Sequence, residues 1–258
     1  LENGKIVMST FNPIDSANII ILNSDGSLFK KHTINLVNNL EADTYINLKV
    51  YCEGNEIYVG GFYDYSNGNG DGYESIPYIY KIDEEGNYDE NFGTDGLFTF
   101  HEVGYYLEFI DFVIYDNDIL LLVSKEDTNS GDGELILIKL DNNGQLIENF
   151  GNEGVKTIVD YEGEIANIYT YESRILVVFP NYGSVLGFDE EGNTDYEYGV
   201  DGTAFYNSGE IEYYGYFSTM DENGGIKIFS SSDYIDDENP VSAIIAFTAS
   251  GQADTFFA

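Results

Sequence analysis

The sequence is poor in several residue types, and each shortage excludes a class of protein. There is one cysteine, Cys52, so no disulfide can form within the chain and a small disulfide-rich scaffold is excluded. Tryptophan is absent and only four prolines occur. No apolar run reaches the roughly 18 residues that a membrane-spanning helix needs. We therefore expect no direct insertion into a membrane.

Basic residues are also scarce. Ten Lys and Arg residues face 47 Asp and Glu residues, which gives a formal net charge of −37. Nucleic-acid binding is excluded, because it depends largely on neutralising phosphates with clustered basic side chains. The acidic excess indicates a solvated surface, with the alternative that divalent cations or a saline exterior offset the self-repulsion.

Aromatic residues and glycine are abundant. The chain has 23 Tyr, 17 Phe and 28 Gly, and 43% of its 258 residues are apolar. This composition can build a core and favours strands over helices. No segment has a convincing 3.6-residue apolar period, so helix should be scarce. We expect a single all-β domain that spans residues 1–258.

One local pattern recurs along the chain: an apolar strand, a polar turn and a glycine. The turn glycines are 60, 58, 48 and 59 residues apart, and they are Gly26, Gly86, Gly144, Gly192 and Gly251. In three copies an aromatic–glycine pair follows, namely Phe92-Gly93, Phe150-Gly151 and Tyr198-Gly199, and the last copy has Phe257-Ala258 there. A period of this length indicates a repeat architecture.

Each full repeat contains four short strands separated by turns rich in Gly, Asp and Asn. We expect the strands that follow the aromatic–glycine tails, "LFTFH", "VKTIVD" and "TAFYN", to open the next unit. The approximate repeats are then 1–32, 33–92, 93–150, 151–198 and 199–258. Four strands per repeat suit the blade of a β-propeller better than the short rung of a solenoid or a sandwich. The predicted fold is a β-propeller of about five degenerate four-stranded blades.

The pattern D/N-x-x-G-x-x-D/E-x-x-F-G-x-x-G resembles the delta-sixty repeat family of bacterial β-propellers. It is most complete in residues 56–96 and 118–154, whereas the first repeat has "KKHT" in place of the Phe-Gly step. The resemblance implies a propeller on a secreted or surface-exposed bacterial protein. It implies no catalytic residues, because structural turns define the family.

The two ends of the sequence suggest an incomplete ring. The start, "LENGKIVMST", has no initiating Met and no signal-peptide pattern, and the strand inventory is two strands plus four sets of four. A first blade without its opening pair of strands would leave exposed edges. We therefore expect either a piece of a longer chain or ends that pair with a partner segment.

Few residues suggest chemistry. His32 and His101 lie on or beside equivalent strands and are interpreted as strand residues rather than ligands. With so many acids, no carboxylate pair can be singled out for glycoside hydrolysis. Two polar inserts could hold calcium, which prefers oxygen ligands, although a flexible hairpin tip is the preferred interpretation; their candidate ligands are Asn67, Asn69, Asp71, Asp127, Asn129 and Asp132.

These observations favour a non-catalytic propeller that acts as an extracellular or cell-surface binding or scaffold module, similar to an adhesin. Its expected partners are proteins or glycans at the cell surface, or adjoining segments of a longer chain. The alternative is a carbohydrate-active, glycosidase-like enzyme with carboxylates at the central channel. Calcium is the one cofactor that the pattern suggests.

Overall fold

The computed structural model describes residues 1–12, 16–34, 48–66, 73–158, 165–206, 214–232 and 241–254. Within them lie eighteen β-strands and one short 3-10 helix, Pro180–Tyr182, and these residues contain no α-helix. The all-β prediction is confirmed. The strands are β1 (Ile6–Asn12), β2 (Ser16–Leu22), β3 (Leu28–Ile34), β4 (Lys49–Glu53), β5 (Glu56–Ser66), β6 (Tyr73–Ile82), β7 (Leu97–Thr99), β8 (Tyr105–Tyr115), β9 (Asp118–Asp127), β10 (Gly133–Leu140), β11 (Val155–Ile158), β12 (Asn167–Tyr171), β13 (Arg174–Phe179), β14 (Ser184–Phe188), β15 (Thr203–Phe205), β16 (Tyr214–Met220), β17 (Ile226–Ser232) and β18 (Val241–Phe247).

The strands form five antiparallel sheets in chain order. The first sheet is β1-β2-β3, the second β4-β5-β6-β7, the third β8-β9-β10-β11, the fourth β12-β13-β14-β15 and the fifth β16-β17-β18. Every strand pairs with its neighbour in sequence, so each sheet is a meander built from local connections. The sequence-based inventory of strands therefore agrees with the structure.

The grouping of these strands differs from the predicted repeats by one strand. The strand "LFT" was expected to open the repeat 93–150, but as β7 it pairs with β6 and closes the second sheet, with Tyr80 opposite Leu97. The turn after the Phe92-Gly93 tail brings β7 to β6. In this turn Thr94 and Leu97 exchange backbone hydrogen bonds of 2.7 and 3.1 Å, which direct the chain back along β6. β15 likewise closes the fourth sheet by pairing with β14.

The chain divides into two compact units. The first contains Leu1–Ile147 and Thr157–Glu162, and the second contains Glu148–Lys156 and Gly163–Ala258. In the first unit, Ile19 and Ile21 of the first sheet share a buried cluster with Ile57, Val59 and Tyr78 of the second. In the second unit, the fourth and fifth sheets meet in the same way, through Leu176, Val178, Val185, Ile226, Ile228 and Ile245. Each unit is thus held by sheets packed face to face.

An acidic residue organises the turn that follows the third strand of the full repeats. At Asp83, the carboxylate accepts hydrogen bonds from the backbone N–H and the side-chain amide of Asn87, both at 2.8 Å. Asp141 and Asp189 accept equivalent backbone bonds after the third strands of the next two sheets, and Asp221 does so in the turn after β16, the first strand of the fifth sheet. These bonds outweigh partial burial and lower the pKa of Asp83. Many of the acids therefore serve as acceptors for turn backbone.

The aromatic–glycine tails join consecutive repeats through a contact that we call the latch. The backbone N–H of Gly93 donates to the carbonyl of Asn143 at 2.7 Å, and the ring of Phe92 lies beneath Gly144. A Cβ on Gly144 would lie 3.1 Å from that ring. The same arrangement joins Phe150-Gly151 to Glu191-Gly192, and Tyr198-Gly199 to Ser250-Gly251. The tail is therefore the element that fixes the next repeat.

In the first repeat, His32 of β3 takes the place of the tail aromatic. A Cβ on Gly86 would lie 2.6 Å from its Nδ1, and its ring meets Tyr88 edge-on with centroids 5.7 Å apart. Its Nε2 is buried without a hydrogen-bond partner. Burial, and then the positive charge of Lys30, lower the pKa of His32, while Asp83 opposes them. The missing Phe-Gly step is thus filled by a residue from another position in the repeat.

Gly144→Ala tests the latch. Gly144 has φ +73°, so alanine there costs about 1–2 kcal/mol in backbone strain, and the new methyl group must displace the Phe92 ring at a further cost of about 1–3 kcal/mol. Gly131→Ala is the matched control, because Gly131 has φ +75° and nothing within 4 Å of the added Cβ. Urea unfolding should show the larger loss for Gly144→Ala. Equal losses would contradict the latch.

His32→Phe tests the first latch through pH. Because the folded state lowers the pKa of His32 from its ordinary value of 6.5, the unfolded chain binds more protons there, and stability falls as pH drops through that value. The Phe variant should be more stable and should lose this part of the pH dependence. His101→Phe, at an exposed position, is the control. An unchanged slope below pH 6.5 in His32→Phe would show that His32 does not matter to the latch.

Candidate functional site

The basic side chains are mostly committed to ion pairs. Among the residues that the structure describes, seven of the ten form pairs within 4.0 Å, and they are Lys5, Lys49, Lys81, Lys125, Lys139, Arg174 and Lys227. Lys81 and Lys139 are themselves buried. Because the scarce positive charges are paired with carboxylates, the remaining surface is strongly negative.

The paired cation changes position between repeats. Lys81 on β6 pairs with Glu56 at 2.9 Å, and Lys139 on β10 pairs with Asp118 at 3.2 Å. In the fourth sheet Gly187 occupies the lysine position, where even a Cβ would lie 2.7 Å from the Cβ of Tyr198.

The positive charge there comes instead from Arg174, at the position of Glu56 and Asp118. It pairs with Asp195 and also donates to the carbonyl of Ala249 at 3.0 Å. The ion pair is retained although its cation has moved to the neighbouring strand, whereas its acid, Asp195, keeps the position of Asp89, the second partner of Lys81.

Two carboxylates in the first unit, Asp64 on β5 and Glu126 on β9, act electrostatically on Glu108 of β8, and the three are here called the acid cluster. Glu108 lies opposite Ser124, and Glu126 opposite Tyr106, which makes the two acids diagonal neighbours on one face. Asp64 accepts a 2.6 Å hydrogen bond from the hydroxyl of Ser75.

Although the side chain of Glu108 is exposed at the surface, desolvation by the atoms around it, followed by the negative charges of Asp64 and Glu126, raises the pKa of Glu108. A carboxyl group whose pKa is raised beside other carboxylates is a feature of acid–base sites. The sequence did not reveal this cluster, because only the strand register distinguishes these acids from the other 44. The alternation of Glu108 with Leu107 and Phe109 was the available signal.

A second carboxylate of β8, Asp111, forms an ion pair with a lysine of β4. Asp111 of β8 is buried at a bulge, and its Oδ1 lies 2.7 Å from Nζ of Lys49 on β4. The same oxygen accepts the backbone N–H of Phe112 at 2.9 Å. β8 therefore carries one carboxylate held by a cation and another, Glu108, surrounded by negative charge.

The predicted calcium ligands are only partly described. Asn67, Asn69 and Asp71 lie outside the described residues. Asp127 accepts the backbone N–H groups of Asn129 and Ser130 at 2.8 and 3.0 Å, and these bonds lower its pKa. The N–H of Asp132 donates to Ser130 Oγ at 3.2 Å. These residues form a hairpin tip.

In the part of the chain that the structure describes, no group of three or more His, Cys, Asp or Glu side chains is placed to hold a metal ion. Calcium binding stays a prediction.

Among the described residues, the most exposed aromatic rings lie in the second unit. Tyr182, Tyr196 and Phe205 are exposed, and Phe205 pairs with Ser184, two residues after Tyr182. The Tyr-rich strand "YIYKI" of β6 instead buries Tyr78 and Tyr80. Amphipathic rings on a negative surface can contact peptides or glycans.

No protein-family model matches the chain, and no curated protein matches it. The resemblance to the delta-sixty family therefore stays a prediction. None of the helices among the described residues is both long and apolar enough to span a membrane.

Solved structures match parts of the fold at low sequence identity. A mutant of the Synechocystis apocarotenoid oxygenase is 10% identical with a TM-score of 0.50, and the match covers 95% of this chain and 55% of that chain. A glycoside hydrolase is 11% identical with a TM-score of 0.36, covering 81% and 47%. A member of the DUF4221 family from Bacteroides vulgatus is 13% identical with a TM-score of 0.39, covering 98% and 80%.

The chain spans about half the length of the first two structures that it matches. At these identities the likeness to the oxygenase concerns the fold alone. The activities named for these proteins belong to them.

Glu108→Gln tests the electrostatics of the acid cluster. Since the pKa of Glu108 is raised above its ordinary 4.5, the folded protein binds more protons there, and stability falls as pH rises through that range. The Gln variant should be more stable than the parent near neutral pH, and the gain should vanish in acid. Glu197→Gln, in an exposed turn, is the control. Thermal unfolding between about pH 3 and pH 8 measures both, and a pH-independent gain would contradict the assignment.

Proposed function

We propose that the five sheets are blades of a β-propeller and that it acts as a non-catalytic binding or scaffold module on the outside of a bacterial cell. Two features support the propeller: consecutive sheets pack face to face within each unit, and the same latch recurs between repeats. A repeated sheet that covers its neighbour is the construction of a propeller. An experimental structure whose sheets do not surround a common axis would contradict it.

The binding role is supported mainly by the way charge is distributed. The chain has 47 acidic and ten basic residues, most of the basic side chains form ion pairs, and the rings of Tyr196 and Phe205 are exposed. Such a surface attracts partners that carry positive charge or hydrogen-bond donors, and excludes anionic ones. A basic protein segment or a neutral glycan has the required chemistry.

A peptide and glycan array, with and without calcium, tests this role. Tyr196→Ala and Phe205→Ala should reduce binding at least fivefold without lowering stability, because both rings are exposed. Val103→Ala removes an exposed apolar side chain from the first unit and serves as the matched control. Binding of basic peptides should weaken as salt is added. Wild-type affinity in both aromatic variants would exclude this surface.

The acid cluster favours a second candidate, a carbohydrate-active enzyme. Glycoside hydrolysis uses two carboxyl groups, one of which keeps its proton at a raised pKa as general acid. Glu108 would be that acid, and Asp64 or Glu126 the second carboxylate. A hydrolysis screen that finds activity in the parent and none in Glu108→Gln would establish the enzyme; binding without hydrolysis would leave the scaffold role.

A further inference from the structure

The turn glycine of the first repeat differs from its four counterparts in its surroundings. Gly86, Gly144, Gly192 and Gly251 are buried, and an added Cβ would lie between 2.6 and 3.1 Å from the ring of His32, Phe92, Phe150 and Tyr198 respectively. Gly26 has the same positive φ, +84°, but it is exposed and has nothing within 4 Å of the added Cβ. The first sheet therefore has a latch turn without an aromatic ring.

The apolar face of the same sheet is also uncovered. Ile6 and Met8 on β1 are 49% and 43% exposed. Strand register identifies their counterparts, since Ile6 pairs with Leu22 just before the turn, as Ile57 does with Ile82. The counterparts are all at most 1% exposed: Ile57, Val59, Ile119, Leu121, Ile175, Val177, Ile226 and Ile228. An apolar pair that is buried in four repeats is thus open in the first.

A third difference concerns the edge of the sheet. In the other four sheets, β5, β9, β13 and β17 each have a further strand on the side where β1 has none among the described residues. The exposed edge strand presents backbone donors and acceptors to another chain. The turn, the face and the edge are thus all less covered in the first repeat than in the other four.

We propose that Ile6, Met8, Gly26 and the carbonyl of Asp25, the first-sheet socket, dock a repeat of the same type carried by another polypeptide segment. The contacting part of that repeat is an acidic tail with an aromatic residue followed by glycine. The internal latches supply the geometry of this contact. The aromatic ring lies beneath the turn glycine, and the backbone N–H of the tail glycine donates at 2.7–2.9 Å to the carbonyl of the residue before the turn glycine. In the socket that carbonyl is the one of Asp25.

Charge supports the choice of an acidic tail. The chain's own tails read "DENFG" and "IENFG", and their acids lie beside the aromatic residue. The first sheet carries Lys30 and Lys31 on β3, and both are exposed. Lys31 lies opposite Ile20, which in turn lies opposite Met8, so its charge is on the face of the socket, and in a chain with 47 acids it complements such a tail. The inference depends on the repeat architecture and not on the ligand of the proposed module. The result of the peptide and glycan array therefore does not decide whether the socket docks a repeat.

The probe is a fluorescent peptide of residues 145–154, whose Phe and Gly form the tail of the third repeat, titrated by anisotropy. The parent chain should bind it, and the peptide with alanine in place of that Phe should bind at least fivefold more weakly. Gly26→Asn should also weaken binding at least fivefold, because Asn tolerates positive φ and places its side chain where the ring would lie. Gly131→Asn, at an open turn with φ +75°, should bind like the parent.

Three outcomes would overturn the proposal. Equal affinity of the parent and Gly26→Asn would show that the peptide binds elsewhere. Binding only after Phe257→Ala would show that the chain's own tail fills the socket. An oligomer of the parent in sedimentation that dissociates in Gly26→Asn would show that a second copy fills it. Thermal unfolding of each variant confirms that the protein is folded in every arm.

Discussion

A ring packed beneath a glycine is the contact on which the rest of the structure depends. At Gly144 two requirements coincide, because the turn needs a positive φ and the Phe92 ring leaves no room for a Cβ. Backbone and packing therefore demand the same residue. The hydrogen bond from Gly93 to Asn143 then fixes the tail of one repeat against the turn of the next. Sheets that are individually ordinary meanders are placed by this one contact.

Electrostatics places a second constraint on the fold. Each buried ammonium group must recover in ion pairs and hydrogen bonds what it loses in hydration. Lys81 does so with Glu56 and Asp89 and also lies 5.5 Å from the ring of Tyr58. Several of the remaining acids, such as Asp83, Asp141 and Asp189, are turn residues whose carboxylates accept backbone N–H groups. The acidic composition thus has a local structural use, although it leaves the molecule with strong self-repulsion.

The sequence was sufficient for the strands and turns because both depend on local patterns. Alternating apolar residues mark a strand, and Asp with Gly marks its end. The sequence was not sufficient for the grouping of strands. β7 has only three residues, and the turn after the Phe92-Gly93 tail decides which strand it pairs with. Nor could it identify His32 as a latch residue, because this ring reaches the latch from β3 and not from a tail.

The candidate site was harder to predict from the sequence than the grouping of strands. The pKa of Glu108 depends on Asp64, a residue of another sheet, and no spacing along the chain predicts that proximity. By contrast, Asp127, Asn129 and Asp132 were correctly placed together by their spacing, as parts of one hairpin tip. Local sequence therefore locates clusters within a loop, whereas clusters between sheets depend on the packing of the sheets.

The relocated ion pair means that the repeats cannot be exchanged as cassettes. A third strand copied from the second sheet into the fourth would bring a lysine to the position of Gly187, where Tyr198 leaves no space, and would set it near Arg174 with no additional acid. Strand, tail and partner charge would have to be transferred together. The unit of recombination is therefore the strand plus the tail that latches it, a block that straddles the boundary between one sheet and the next.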